Sequence, residues 1–329
     1  MSVAVSVVVP VYNSQDTVKR CLESIAAQTF SNFEAIIIDD GSTDHSPNIC
    51  DDFAITDDRF KVVHTKNSGV SSARNKGIDL AQGDWTCFVD SDDYVEGTYL
   101  ENLMVNTKHV ELVIAGLKRI SKKNTVFVTF PEKIVGVEYR QFYFQEYPLS
   151  DSGYPVSKLF NRQILHENNI RFNNHIHMFE DVLFLFSYLL FCKKIKFCSH
   201  ASYNYMILNS TLSTKINDFE SEYLGFISIY NLLLTEYNIT QTELINKYPA
   251  LGFRVSRLMN RCISVLYLKS YPSNYCIQAL QDFPKQAWGF FDQFVIPENI
   301  VKKVVKFLLV RRMFRISNLL LRLSYNLKR

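Results

Sequence analysis

The sequence predicts an α/β protein built on a mainly parallel sheet with flanking helices, followed by a C-terminal helical region. Three observations carry that class. Short β-branched apolar runs alternate with stretches of helical periodicity over the first 95 residues. Polar and acidic clusters stand where those runs end, which is where open parallel sheets bind ligands. Beyond Asn217 the periodicity is almost wholly helical.

Val3–Val9 is a continuous apolar run closed by Pro10, as suits a strand buried on both faces. Asn13 or Ser14 can cap the helix that follows, whose apolar positions Val18, Cys21, Leu22 and Ile25 have helical spacing. A second buried strand is expected at Phe33–Ile38, ending in Asp39-Asp40-Gly41-Ser42, with a helix starting after Thr43-Asp44. Phe60–Thr65 reads as a third strand, Val70–Ala81 as a third helix, and Trp85–Val89 as a fourth strand running into Asp90-Ser91-Asp92-Asp93. From about Thr98 to Tyr205 the pattern is mixed. A helix is expected near Leu100–Lys108, strands at Leu112–Gly116 and Thr125–Phe130, and a strongly apolar helix from about Asp181 to Phe191. A soft boundary near 215 divides the chain into 1–215 and 216–329.

Charge and composition exclude several classes. The chain has 36 Lys plus Arg against 33 Asp plus Glu, yet residues 300–329 hold nine basic residues and no acidic one. The first 299 residues therefore carry 27 basic against 33 acidic side chains, a net of −6. An acidic body with a basic end argues against a nucleic-acid binder. With 47% hydrophobic and 21% charged residues the chain is no disordered segment. Seven scattered cysteines, with no C-x-x-C and no metal-finger spacing, read as buried packing residues of a reducing cytosol. The longest apolar stretch, Val182 to Cys192, falls short of the ~18 residues a membrane span needs and contains Ser187 and Tyr188, so no crossing is expected.

The Asp90-Ser91-Asp92 turn is the sharpest chemical feature. Carboxylates two residues apart at a strand end can hold a hard divalent cation, Mn²⁺ or Mg²⁺, through oxygen and leave open positions for substrate phosphates. The plainer reading is an acidic turn that caps the next helix. Asp39 and Asp40 could accept a hydrogen bond from a base N–H, and Tyr12 offers a ring for stacking, against simple packing. In Ser68–Asn75 the small residues around Gly69 let backbone approach a ligand, with Arg74 one turn in to meet negative charge or to pair with the aspartates.

The segments P-V-Y-N (Pro10–Asn13), D-D-G-S-T-D (Asp39–Asp44), S-G-V-S-S-A-R-N-K-G (Ser68–Gly77) and F-V-D-S-D-D (Phe88–Asp93) together resemble the family 2 inverting glycosyltransferases. The match is dense over residues 3–95 and looser to about 213. It implies a GT-A fold, with a Rossmann-like sheet in which 1–95 is the nucleotide-binding half and 96–215 the acceptor half. It also implies a nucleotide-sugar donor. Pro10 and Tyr12 would line the base, Asp39 with Asp40 would meet the uracil edge, and Gly69, Arg74 and Ser91 would join the donor site. Asp90 would touch the ribose and Asp92 the metal. Lys158-Leu159-Phe160 and Glu180-Asp181 match the second half of the pattern, and the resemblance makes Asp181 the general base. Against that stands a helix-capping role for the acidic pair. The departure is Met206, after Tyr203-Asn204-Tyr205, where relatives often carry a basic residue that helps hold the diphosphate; diphosphate contacts from the Asn209-Ser210 turn could persist.

The resemblance implies a glycan or lipid-linked acceptor in capsule, O-antigen or exopolysaccharide synthesis, at the cytoplasmic face of the membrane. Residues 300–310 and 311–329 differ in helical phase, which predicts two short amphipathic helices with a break. These could contact an anionic membrane or pack on the acidic body. The alternatives are a catalytically silent homologue serving as a scaffold, and a nucleotidyltransferase. The latter usually needs a glycine-rich phosphate loop after strand one, which Pro10–Ser14 is not.

Overall fold

The computed structural model describes residues 3–136, 153–207 and 217–326. The first strand, β1 (Val5–Val11), lies between β2 (Phe33–Asp39) and β4 (Trp85–Phe88), and every residue of the three strands is buried. Fully burying such Val and Ile side chains contributes about 1.5–3 kcal/mol each, which explains the continuous apolar runs. Strand β1 extends through Pro10 instead of stopping at Val9. On the β4 side the register covers only Val5–Val8, so the missing N–H of Pro10 costs no ladder bond there.

The helix α1 (Val18–Ala26) buries Val18, Cys21, Leu22 and Ile25, the spacing expected. Its cap differs: the Ser14 carbonyl accepts from Thr17 and Val18 N–H, and no side chain caps it. The series continues with α2 (Ser46–Thr56), β3 (Phe60–His64) and α3 (Val70–Leu80). Strands β3, β2, β1 and β4 are mutually parallel. All four therefore end at one edge of the sheet.

The other half of the sheet is mixed. It holds β5 (Tyr94–Val95), β6 (Leu112–Ile120), β7 (Thr125–Val128), β8 (Lys133–Gly136), β9 (Lys158–Asn161) and β10 (Lys194–Met206), with helices α4 (Tyr99–Met104), α5 (Arg162–Glu167) and α6 (Glu180–Leu189). Among the described residues the order is β3-β2-β1-β4-β9-β6-β10-β5, with β7 on β6 and β8 on β10. Strand β9 runs antiparallel to both β4 and β6 and joins the two halves. The register of β10 on β6 shifts between Cys198 and Tyr203. Helix α4 ends sooner than expected, before Asn106 and His109, both at positive φ.

The described residues form two units, one of 3–136, 153–174 and 180–207, the other of 175–179 and 217–326. The second unit is helical: α7 (Phe219–Asn231), α8 (Gln241–Asn246), α9 (Pro249–Leu268), α10 (Ser273–Asp282), α11 (Ala287–Phe294), α12 (Ile300–Val310) and α13 (Phe314–Asn326). Helix α9 is its centre and buries eleven residues, packing against α7, α8, α10, α11 and α13. A buried Glu222 carboxylate accepts from Arg261 Nε at 2.7 Å, tying α7 to α9. The seven cysteines are buried free thiols. Among the described residues, no helix is long and apolar enough to cross a membrane.

Candidate active site

The ends of β1, β2 and β3 are laced together by side-chain to backbone hydrogen bonds. Asn13, at φ 47°, donates its N–H to Ser42 Oγ at 2.9 Å, and its Oδ1 accepts from Thr43 N–H at 2.8 Å. Ser14 N–H donates to Ser46 Oγ at 2.8 Å. The Tyr12 side chain stands clear of this lacing and is 49% exposed. Asp39 is buried: its Oδ1 accepts from Ser42 N–H at 3.1 Å and its Oδ2 meets His64 Nδ1 at 2.8 Å. The other ring nitrogen of His64 meets Asp51 Oδ1 at 3.1 Å. The hydrogen bond to Asp39, then the one to Asp51, raise the His64 pKa against the opposing effect of its partial burial. Asp40, equally buried, accepts from Ser68 N–H at 2.9 Å and Gly69 N–H at 2.7 Å. Both aspartates thus act as struts that hold the turns.

Beyond β4 the acidic turn divides its labour. Asp90 Oδ1 accepts from Arg74 Nη2 at 2.8 Å, and Ser91 Oγ lies 2.8 Å from Ser14 Oγ. Asp93 turns inward: its Oδ2 accepts from Tyr203 O–H at 2.7 Å and its Oδ1 from Met206 N–H at 2.7 Å. Burial, then Asp90 and Asp92, push the Asp93 carboxyl up. The half-buried Asp92 carboxyl is pushed up to about 6 by burial and by Asp90. Among the described residues its carboxylate takes no side-chain hydrogen bond or ion pair, while its carbonyl accepts from Arg20 Nη2 at 2.7 Å.

A carboxylate of this kind, with neither oxygen taken by a side chain, fits a hard cation. No group of three metal-binding side chains converges among the described residues. Most of a Mg²⁺ or Mn²⁺ shell would therefore come from substrate phosphate and water, which is how Mg²⁺ is commonly held.

Arg74 connects this turn to the start of α6. It is 6% exposed, its guanidinium carbon lies 5.3 Å from the Phe172 ring centroid, and Nη1 lies 3.8 Å from Glu180 Oε1. Burial opposes its charge, but Asp90 and Glu180 outweigh that and raise its pKa. Burial and then Asp181 push the Glu180 carboxyl up. Asp181 Oδ1 accepts from Val182 N–H at 2.7 Å. Within electrostatic reach of Asp181 is the buried ammonium of Lys158, which donates to the carbonyls of Tyr154 (2.6 Å) and Val156 (3.3 Å). Burial pulls the Lys158 pKa down to about 7.

The family model described as Glycosyl transferase family 2 matches residues 6–168. The glycosyltransferase GlyG of Streptococcus pneumoniae serotype 4 is 32% identical over 217 residues, covering 62% of this chain and 71% of GlyG. The chain belongs to glycosyltransferase family 2. EpsH of Bacillus subtilis (strain 168) is 32% identical over 215 residues, which is 64% of this glycosyltransferase but only 62% of EpsH. The crystal structure of S. aureus TarS 1-349 in complex with UDP-GlcNAc superposes with a TM-score of 0.66. At 21% identity it covers 99% of this chain and 92% of that one, and shows the same fold.

The structure of this family 2 glycosyltransferase draws Tyr12, Ser91, Asp90, Asp92 and Arg74 to the strand-end edge, with Asp181 joined through Glu180 and Arg74. Pro10 lies within β1, one residue before its end. Arg74 spends its charge on Asp90 and Glu180, the pairing that sequence left open beside anion binding. Asp39 and Asp40 have all four carboxylate oxygens engaged within the chain. Asp93, Tyr203, His64 and Arg20 had no assigned role. Asp93 and Tyr203 were visible as the last residue of D-S-D-D and the first of Tyr-x-Tyr, but their mutual bond spans 110 positions. Met206 meets the acidic turn through its backbone N–H, so the position sits beside Asp93 whatever its side chain. Asn209-Ser210 lies outside the described residues.

Proposed function

We propose that this glycosyltransferase moves a sugar from a UDP-sugar to an acceptor hydroxyl with inversion of configuration. The acceptor is a glycan or lipid-linked glycan of a bacterial capsule, O-antigen or exopolysaccharide. The observation that carries the reading is the chain Asp92–Asp90–Arg74–Glu180–Asp181, which couples a carboxylate suited to a cation to an acid pair at a helix start. The UDP-GlcNAc bound in the TarS crystal structure supports uridine as the base. Tyr12 stacks on that base, Asp39 and Asp40 hold the turns that border it, and the small residues at Gly69 leave room for the donor. Residues 1–95 act as the donor half, 96–215 as the acceptor half, and 216–329 as a separate helical region.

In the transfer, Asp181 takes the proton of the acceptor hydroxyl as its oxygen attacks the anomeric carbon. The bond from that carbon to the diphosphate oxygen breaks, and nucleoside diphosphate leaves. Mn²⁺ or Mg²⁺ bound at Asp92 would supply charge neutralisation for the leaving diphosphate. Arg74 holds the Asp90 carboxylate in place through its hydrogen bond. Lys158 stands buried near the base and adds positive charge there below about pH 7, where it keeps its proton.

Slow hydrolysis of donor without acceptor tests this reading. A screen of UDP-, GDP- and TDP-sugars should show turnover with a UDP-sugar, lost on Asp92→Asn and on Asp181→Asn. Normal turnover by Asp181→Asn removes it as the base. No turnover and no donor binding in the unaltered chain would favour the scaffold alternative.

A further inference from the structure

Helices α12 and α13 each bury one face and leave a second apolar face in solvent. On α12, Val305 and Leu309 are buried, while Ile300, Val304 and Phe307 are 78%, 44% and 52% exposed. On α13, Phe314, Ser317 and Leu321 are buried, while Ile316, Leu319 and Leu323 are 47%, 59% and 53% exposed. Positions 300, 304 and 307, like 316, 319 and 323, recur at helical spacing, so each set forms a continuous outward stripe. The inward faces are satisfied by α9, α10, α11 and each other. Packing on the helical unit therefore leaves these outward apolar side chains uncovered.

The basic side chains divide the same way. Lys302 pairs with Glu298, Lys306 with Asp292, and Arg322 donates to the Tyr271 carbonyl. Lys303, Arg311, Arg312 and Arg315 are exposed and flank the outward stripes, and no acidic residue occurs from Ile300 onward. Arg311 stacks over the Phe307 ring at 3.8 Å, placing charge directly against the stripe. Exposed apolar stripes of this kind mark an interaction surface. Two copies meeting through equivalent stripes would bring these cations face to face. A membrane of anionic lipid offers an apolar layer with negative charge at its border, which complements both features.

We propose that the outward faces of α12 and α13 dock this protein on an anionic membrane surface, with Phe307 and Leu319 entering the lipid and Lys303 and Arg315 at the headgroups. The surface is independent of the donor chemistry. The test is flotation of the full chain with phosphatidylcholine vesicles and with vesicles that also contain phosphatidylglycerol. Binding should require phosphatidylglycerol, weaken with salt, and fall about thirty-fold in the pair Lys303→Gln/Arg315→Gln, each cation near the surface being worth about 1 kcal/mol. The pair Phe307→Glu/Leu319→Glu should lose it altogether. Helical content and donor hydrolysis should stay unchanged in both, since all four positions are exposed and outside the catalytic unit. Absence of wild-type binding, or undiminished binding by both pairs, would overturn the proposal. So would a lipid-free dimer that Phe307→Glu/Leu319→Glu dissociates, because the stripes would then belong to a second copy.

Discussion

Arg74 is buried between Asp90 and Glu180, and its removal would leave two acids facing each other with little solvent to spread their charge. Breaking a buried ion pair from one side costs about 3–5 kcal/mol. Arg74→Met should lower stability to urea by an amount of that order, while Arg74→Lys recovers part of the charge without the two-pronged geometry. Equal stability of Arg74→Met and wild type would remove Arg74 as the link.

Lys158 supplies a pH signature. Its pKa falls from the ordinary 10.5 to about 7 on burial. Between these values the unfolded chain binds the proton and the folded chain does not, so stability rises with pH through that window. Below about 7 both states are protonated and the cost of burying the charge is constant. Relative to Lys158→Met, wild type should gain up to about 1.4 kcal/mol per pH unit from near 7 to near 10. Parallel stability curves would contradict it. The residue types of the site were legible because acids at strand ends are a local pattern. The inward orientation of Asp39, Asp40 and Asp93 was not, since His64, Ser68, Gly69 and Tyr203, which hold them, come from distant parts of the chain.

At the scale of elements, the turns after β2 and β3 meet at Gly41. At φ 72° a Cβ there would lie 2.7 Å from the Asn67 nitrogen. Gly69, at φ 90°, has nothing within 4 Å of such a Cβ. Gly69→Ala should therefore cost backbone strain alone, about 1–3 kcal/mol. Gly41→Ala adds a clash with backbone and should cost more and weaken UDP affinity as the turns separate. Thermal melts and UDP titration of the two variants check the order, and the reverse order would contradict the packing described here. Helix α1 was readable because a half-buried helix prints its period on the sequence. Strand β9 was not, because four residues beginning with a buried lysine carry no period. In β10 the polar Ser199-His200 and Ser202 break the alternation at the point where its register shifts. The amphipathic character of α12 and α13 was legible, but which apolar residues face outward was not, because exposure depends on which neighbours cover a helix.

For the whole molecule, the net charge of +3 joins an acidic body to a basic end. The parallel half of the sheet was legible from its alternating pattern, and the C-terminal region from its helical period. The long-range assembly of the mixed half was not. On the function proposed above, the acidic turn binds a nucleoside diphosphate through a divalent cation held at Asp92. Calorimetric titration of UDP into the protein, with and without Mn²⁺, tests it most directly. Binding should strengthen at least tenfold when Mn²⁺ is present, and Asp92→Asn should abolish that gain, because one coordinating carboxylate is then lost. UDP affinity that is the same without Mn²⁺, or the same in Asp92→Asn, would rule out a cation at Asp92.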